Sequence, residues 1–508
     1  MVSSVLSMGL NGIDAFLVTA EVDISRGLPV FEIVGLPDAS VKESKDRVRA
    51  ALKNSEFKFP ISRIIVNLAP GNIKKYGPIY DLPILLAILS ASGQINFENN
   101  NSIFIGELSL SGELKHTNGI LPMVIKAKKL GLQNIYLPEA NAKEAAIIDG
   151  IEIFPVKNVM QLREHLESKK QINLQSKTKI IFENNNNSSL DFSQIKGQYD
   201  AKRAMEIAAA GNHNILLIGP PGSGKSMLAR RMPTIMPNMN FEEIIETTEI
   251  YSIIGMLSQE NPLILKRPFR SPHHTVSPAG LTGGGSNPRP GELSLAHNGI
   301  LFLDELPEFS RDALEVLRQP IEEAQVTISR VKSSFTYPCS VLLIVAMNPC
   351  PCGYYGHPNK TCTCSQRIVN KYLSRVSGPL LDRIDLHIEV PGVEFENISS
   401  YEESEKSELI RERVILSRNL QNLRYKSEKI CNSKANLSQF KEHFEISQNS
   451  KKILKKAFEK MGISARGYEK ILRISRSIAD LENSDKILEE HILEAIQYRS
   501  LDKKYWHH

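Results

Sequence analysis

The stretch "NILLIGPPGSGKS", Asn214 to Ser226, decides the fold. An apolar run, Ile215 to Ile218, leads into Gly219, Pro220, Pro221, Gly222, Ser223, Gly224, Lys225 and Ser226, which match G-x-x-x-x-G-K-[ST] without deviation. The chemistry needs these residue types. Glycines let backbone N–H groups converge on phosphate oxygens where a Cβ would collide, and the helix starting near Lys225 adds the partial positive charge of its N-terminus. In such a loop the lysine reaches the β- and γ-phosphates of ATP and the hydroxyl of Ser226 goes to Mg²⁺. A glycine-rich turn that binds nothing is the simpler alternative; a full match between a strand and a helix outweighs it.

Working outward, "GILFLDEL" (299–306) reads as a buried parallel strand ending in Asp304 and Glu305. The C-terminal edge of such a strand is where open α/β sheets hold ligands, so Asp304 is expected in the Mg²⁺ shell and Glu305 beside the attacking water. "SVLLIVAMN" (340–348) is a further strand, and its terminal Asn348 is placed to orient that water. Asn348 also precedes Pro349, a turn signal, and both roles can hold at once. Directly after it, "CPCGYYGHPNKTCTC" carries Cys350, Cys352, Cys362 and Cys364. Four thiols can hold one tetrahedral Zn²⁺, with His357 able to replace one, and such a site would be structural because no position stays open. The other reading is a tight Gly/Pro turn whose cysteines are simply reduced.

The 508 residues exceed one ordinary core, and 41% apolar with 23% charged residues is the composition of a water-soluble globular chain. A net charge of +5 permits a nucleic-acid partner without requiring one. The N-terminus lacks the basic flank and cleavage site of a signal peptide, no apolar run approaches a membrane span, and six sparse cysteines suit a reducing cytoplasm.

Phe16, Val18, Ala20, Val22 and Ile24 alternate and so share one face of a strand. Residues 30–36 and 63–70 read as strands, with a helix over 38–54 between them, and the Ser-Gly of "SLSGEL" (109–114) signals a hairpin. The domains expected are 1–166, an Asn-rich linker 167–190, an ATPase core 191–395 opening with a helix over 198–211, a connecting segment 396–446, and a C-terminal helical domain 447–508 with Gly462 as a helix stop and Ser464 as the next N-cap.

These motifs, in this order and spacing, resemble the AAA+ ATPases. The stretches 269–309, 317–330 and 377–390 resemble signatures of the magnesium-chelatase-like branch, of the ComM/YifB type, over nearly the whole chain. The resemblance implies an α/β fold: an AAA+ P-loop ATPase core with a helical lid, preceded by an α+β Lon-protease-like (ribosomal S5 domain 2-like) domain. It implies that Arg383 in "LLDRID" is an arginine finger acting on a neighbouring subunit; read from the residues alone, an ion pair with Asp382 or Asp385 is the plainer role. Arg466 or Arg473 is then the lid sensor, the choice between them open. A finger in trans implies a ring, in this family a hexamer.

In the Lon-like pattern the lysine position falls on Leu121 and the serine position on Ile84, and neither apolar side chain can attack a carbonyl or take a proton. The family's expected partner is DNA, single-stranded or branched and bound without reading sequence, in a helicase or branch-migration motor that supports recombination in natural transformation. A protein-remodelling or metal-chelatase-type motor, and a nucleotide-gated assembly factor with little turnover, are the alternatives. Segment 269–292 and a hairpin over 325–338 with Arg330 and Lys332 near its tip are the candidate pore loops. His273 and His274, read as strand neighbours on opposite faces, are not expected to share a metal.

Overall fold

The computed structural model describes residues 2–97, 101–180, 190–285, 288–330, 333–392, 404–461 and 464–506. Contacts divide the chain into two compact units: Met1–Phe182 with Phe241–Leu265 and Ser329–Thr336, and Glu183–Asn240 with Lys266–Ile328 and Tyr337–His508.

In the first unit, strands Val2–Asn11, Asp14–Ser25, Arg63–Ala69 and Val30–Val34 form a sheet in that spatial order, the last pair parallel and the others antiparallel. The alternating run behaves as its period requires: Val18, Ala20 and Val22 are fully buried, and Phe16 and Ile24 pack against the same core. The helix that follows Val34 covers Ala39–Asn54 and starts where the Asp38 carboxylate accepts the Val41 N–H at 2.8 Å. Glu107–Leu108 pairs with Leu114–Lys115 around the expected turn, whose Gly112 sits at φ 86°, open to glycine without penalty. Ile84, on the buried helix Asp81–Ala91, and Leu121 are both 0% exposed. The stretch expected to be a free linker differs from that reading as far as residue 180. Ile172 joins the core of the unit, and the Gln175 and Thr178 amides donate to the Ile153 and Ala146 carbonyls. Its few apolar and backbone anchors suffice because they meet preformed carbonyls, one on the edge strand Glu152–Val156 and one at the end of the helix Ala142–Ala145, which composition does not reveal.

The second unit is built on five parallel strands: β1 (Ile215–Ile218), β2 (Phe269–Arg270), β3 (Ile300–Leu303), β4 (Leu342–Met347) and β5 (Leu386–Glu389), in the order β2-β3-β4-β1-β5. Every residue of β1, β3 and β4 is buried, which is why they read as unbroken apolar runs. The chain leaves β1, skips outward to β2 and works back through β3 and β4. The end of β1 is therefore where strand order reverses, the position at which such sheets bind ligands.

Helices α1 (Tyr199–Gly211), α2 (Lys225–Ile235), α3 (Ser407–Tyr425), α4 (Gln448–Met461), α5 (Ala465–Leu481) and α6 (Glu489–Gln497) surround this sheet. Helix α2 buries Lys225, Leu228, Ala229, Met232 and Ile235, one face at helical spacing. The segment expected only to connect contains α3, whose Ile410 and Val414 are buried in the same core as Ile471 and Ile478 of α5. It is thus part of the helical layer. Ser464 caps α5, accepting the Gly467 N–H at 3.1 Å; Gly462 lies outside the described residues. Strands Gln325–Arg330 and Ser333–Pro338 pair as expected, while the Arg330 side chain and Lys332 lie outside the described residues.

Candidate nucleotide site

At the C-terminal ends of β1, β3 and β4 a cleft of about 400 Å³ is lined by residues 221–227, Asp304, Glu305, Met347 and Asn348. Gly222 (φ 78°) and Gly224 (φ 91°) hold left-handed backbone that turns the loop back onto α2, and a Cβ on either would meet nothing within 4 Å, so backbone freedom is what the glycines supply. At Gly219 the constraint is space: a Cβ there would lie 2.1 Å from the Val390 carbonyl oxygen.

The hydroxyl of Ser226 donates to Asp304 Oδ2 at 2.6 Å, joining the start of α2 to the end of β3. Lys225 Nζ donates to the Gly219 carbonyl (2.7 Å), the Pro220 carbonyl (2.9 Å) and Asn348 Oδ1 (3.2 Å). Burial lowers its pKa to about 8, only partly countered by the charges of Asp304 and Glu305. The lysine is thus folded onto its own loop, and phosphate oxygens are better partners for an ammonium than carbonyls. Two hydrogen-bonded side-chain pairs, Lys225 with Asn348 and Ser226 with Asp304, bring the start of α2 and the ends of β3 and β4 together in the cleft.

Glu305 is exposed, in the left-handed region (φ 53°), with its carboxylate 3.6 Å from His274 Nδ1. Sequence reading missed this partner. It also assumed a strand through His273 and His274, but β2 ends at Arg270, and the two rings lie 4.0 Å apart in a turn, on the same side. His273 Nδ1 is engaged by the Thr275 hydroxyl at 2.9 Å, and only His274 faces the acid.

Arg383 is not paired with Asp382 or Asp385. Its guanidinium meets Glu322 at 2.9 Å and donates to the Arg318 carbonyl at 2.8 Å, contacts made across the fold that sequence proximity cannot suggest, and to the nearby Pro379 carbonyl at 2.7 Å. Asp385 instead accepts the Asn214 N–H and pairs with Lys470 of α5 at 2.8 Å. Burial alone would raise this carboxyl, but Lys470 and His213 hold it well below the usual range. Of the lid candidates, Arg473 donates to the Ser433 and Ala435 carbonyls, whereas Arg466 is exposed in the first turn of α5; neither lines the cleft.

The four cysteines after Asn348 converge. The Cys350–Cys352, Cys352–Cys362 and Cys350–Cys362 sulfurs are 3.3, 3.5 and 3.7 Å apart, and all four ligand atoms lie within 4.8 Å of one another. None is in a disulfide. A zinc ion with thiolates at about 2.3 Å requires sulfurs about 3.8 Å apart, so the set fits that ion with small adjustment. Burial acts against the Cys352 thiolate, yet the Tyr354 and Thr363 amides and the neighbouring thiols bring its pKa down to about 5. The Cys364 amide draws Cys362 down, but burial and the crowded thiols outweigh it and push this thiol up to about 12. His357 is not part of the converging group, and its Nδ1 accepts the Asn359 and Lys360 amides, both at 3.1 Å.

Comparison with known proteins agrees with this geometry. Three family models match in succession: "Subunit ChlI of Mg-chelatase" over residues 20–141, "Magnesium chelatase, subunit ChlI" over 191–398, and "Magnesium chelatase, subunit ChlI C-terminal" over 404–499. Competence protein ComM of Haemophilus influenzae is 41% identical over 98% of this chain and 97% of its own. The chain belongs to the ComM/YifB family of magnesium-chelatase-related AAA+ ATPases. Uncharacterized protein YifB of Salmonella typhimurium is 39% identical over 98% of this chain and 96% of its own, and Lon protease 2 of Bacillus subtilis is 31% identical over 25% of this chain and 22% of its own.

Membership makes the chain an ATP-hydrolysing enzyme that uses ATP with Mg²⁺, and every cleft residue falls inside the central match. The cleft fits both: glycine-rich backbone and a buried ammonium for phosphates, a hydroxyl and a carboxylate already in contact for the cation. Among the described residues no helix is long and apolar enough to cross a membrane.

Proposed function

We propose that this chain is the protomer of a ring-shaped, ATP-driven motor that moves along single-stranded or branched DNA without reading its sequence. The observation that carries the reading is the meeting of the Lys225–Asn348 and Ser226–Asp304 pairs in one cleft, in a chain similar end to end to a protein named for competence.

In this mechanism Lys225 leaves the Gly219 and Pro220 carbonyls for the β/γ-phosphates, which releases Asn348 to orient the attacking water. Glu305 takes the water's proton, and His274 holds the carboxylate aside until then. Ser226 and Asp304 would hold Mg²⁺, which would supply neutralisation of phosphate charge. Lys225 is the only cation lining the cleft among the described residues, so the transition state needs a further one. Arg383 of an adjacent copy supplies it after exchanging Glu322 for the phosphate, and the ring, a hexamer, follows from that head-to-tail use. Arg466 serves as the lid sensor, since Arg473 is held by carbonyls.

Residues 1–166 form a Lon-like module that binds or packs but does not cleave, consistent with the sealed Ile84 and Leu121 and with the shorter match to Lon protease 2. The four cysteines hold one structural Zn²⁺, and their free thiols suit the cytoplasm. The family models' names favour a second reading, a motor that inserts metal or remodels a protein. ATP hydrolysis measured with and without single-stranded, duplex and branched DNA decides between them. Stimulation by DNA that is lost in Lys225→Ala supports the DNA motor, and intact rings with no stimulation by any DNA rule it out.

A further inference from the structure

The cysteine cluster is attached to the phosphate loop at two points. Asn348, which accepts from Lys225 Nζ at 3.2 Å, is separated from Cys350 only by Pro349. Gly353, next to Cys352, lies flat against the loop itself: a Cβ there would fall 2.3 Å from Pro221 Cδ. Its φ of 84° is also one that favours glycine. Cys350 is fully buried, and its sulfur accepts the Tyr355 N–H at 3.3 Å.

Besides the thiols, the segment between the two pairs is held by Tyr355 packed on the core, by the Gly353 N–H donating to the Cys350 carbonyl at 2.9 Å, and by local contacts among Tyr354, His357 and Lys360. Residues 353–361 contain no helix or strand, and most of their side chains are exposed or half-buried. The four sulfurs are the contact that ties the two ends of the segment to each other, beside the abutment of Gly353 on Pro221. A tetrahedral ion would fix all four at once, whereas four thiols without it make only weak S–H contacts and leave the two ends of the segment untied.

We propose that metal in the Cys350, Cys352, Cys362 and Cys364 site clamps the phosphate loop in its nucleotide-accepting shape, so that nucleotide affinity follows zinc occupancy. This rests on the reading of the cluster as a zinc site. Coupling of this kind is reciprocal: bound nucleotide must strengthen zinc retention by the same factor.

The test uses the full-length protein in three states: zinc-loaded, stripped with a chelator that is then removed, and reloaded. Zinc per chain is measured by elemental analysis, and a fluorescent ADP analogue gives Kd in the presence of Mg²⁺. Stripping should weaken binding about tenfold, the cost of ordering the loop at each binding event, and reloading should restore it. Gly353→Ala should keep its zinc yet bind about tenfold more weakly, because the four thiols remain while the abutment on Pro221 is forced apart. Equal Kd in the loaded and stripped states, with Gly353→Ala binding like wild type, overturns the clamp and leaves the zinc site standing. Absence of zinc from wild-type protein purified without chelators, with none taken up on addition, overturns the zinc reading and the clamp together. Cys362→Ser is a useful third variant, but reversible stripping and Gly353→Ala do not depend on its folding.

Discussion

Replacing Arg383 by alanine separates the contacts this side chain makes in its own chain from the trans role proposed for it. Within its own chain it bonds the Arg318 and Pro379 carbonyls and pairs with Glu322 at 2.9 Å. Glu322 is half-exposed, so its pair contributes about 0–1 kcal/mol. The vacated carbonyls can take up water, so the whole loss of stability should be about 2–4 kcal/mol. A guanidinium delivered to a neighbour's γ-phosphate is worth far more in rate, about 10³–10⁵ in turnover, or about 4–7 kcal/mol of barrier. Turnover per folded subunit should therefore fall by at least about 10³, with nucleotide Kd little changed. Glu322→Gln, which breaks only the local pair, should cost under about 1 kcal/mol and leave turnover intact. The decisive assay mixes subunits. Arg383→Ala and Glu305→Gln are each inactive alone, yet in a head-to-tail ring a Glu305→Gln subunit lends its arginine to an Arg383→Ala neighbour. Random mixing should revive about one site in four. A mixture that stays inactive although mixed rings form, or Arg383→Ala turning over within about threefold of wild type, refutes the trans assignment.

Other outcomes follow from the same geometry. Glu305→Gln should bind ATP normally and hydrolyse it about 10²–10⁴ times more slowly in single-turnover assays; unchanged turnover would remove Glu305 from the chemistry. Because burial holds Lys225 near 8 in the free protein and bound phosphates raise it, nucleotide affinity should be full below pH 8 and fall by up to about tenfold per pH unit as pH rises through that value. Calorimetry in buffers of different ionisation enthalpy should show proton uptake above pH 8, and Lys225→Arg should abolish the pH dependence; a flat profile for wild type contradicts the assignment. Ile84→Ser, which puts an unpartnered hydroxyl into a sealed core, should lose about 2–4 kcal/mol in denaturant titration and gain no peptidase activity.

The nucleotide chemistry was legible in the sequence because it is local. A loop of eight residues specifies its own backbone, and fully buried parallel strands announce themselves as apolar runs ending in Asp304 and Asn348. What was not legible is set by contacts between distant segments. Glu322 reaches Arg383 from another helix, and nothing near either residue signals the pair. His274 reaches Glu305 because β2 is only two residues long, which frees the His-His turn from the alternation assumed for it. Residues 167–180 look like a linker by composition, yet Ile172 and two backbone amides are enough to lay them against the first unit. The cysteines were legible as a cluster; that Gly353 abuts Pro221 was not, since a glycine's lack of a side chain matters only once its neighbour is known.

The central claim is that ATP turnover in this cleft drives movement on DNA. The direct measurement is strand separation on a fluorescently labelled branched DNA, followed in real time with wild type and Glu305→Gln side by side. Separation that requires ATP and Mg²⁺ and is absent in Glu305→Gln, although that variant still binds the DNA, is the predicted result. Wild-type rings that hydrolyse ATP at the same rate with or without DNA and separate no strands would contradict it.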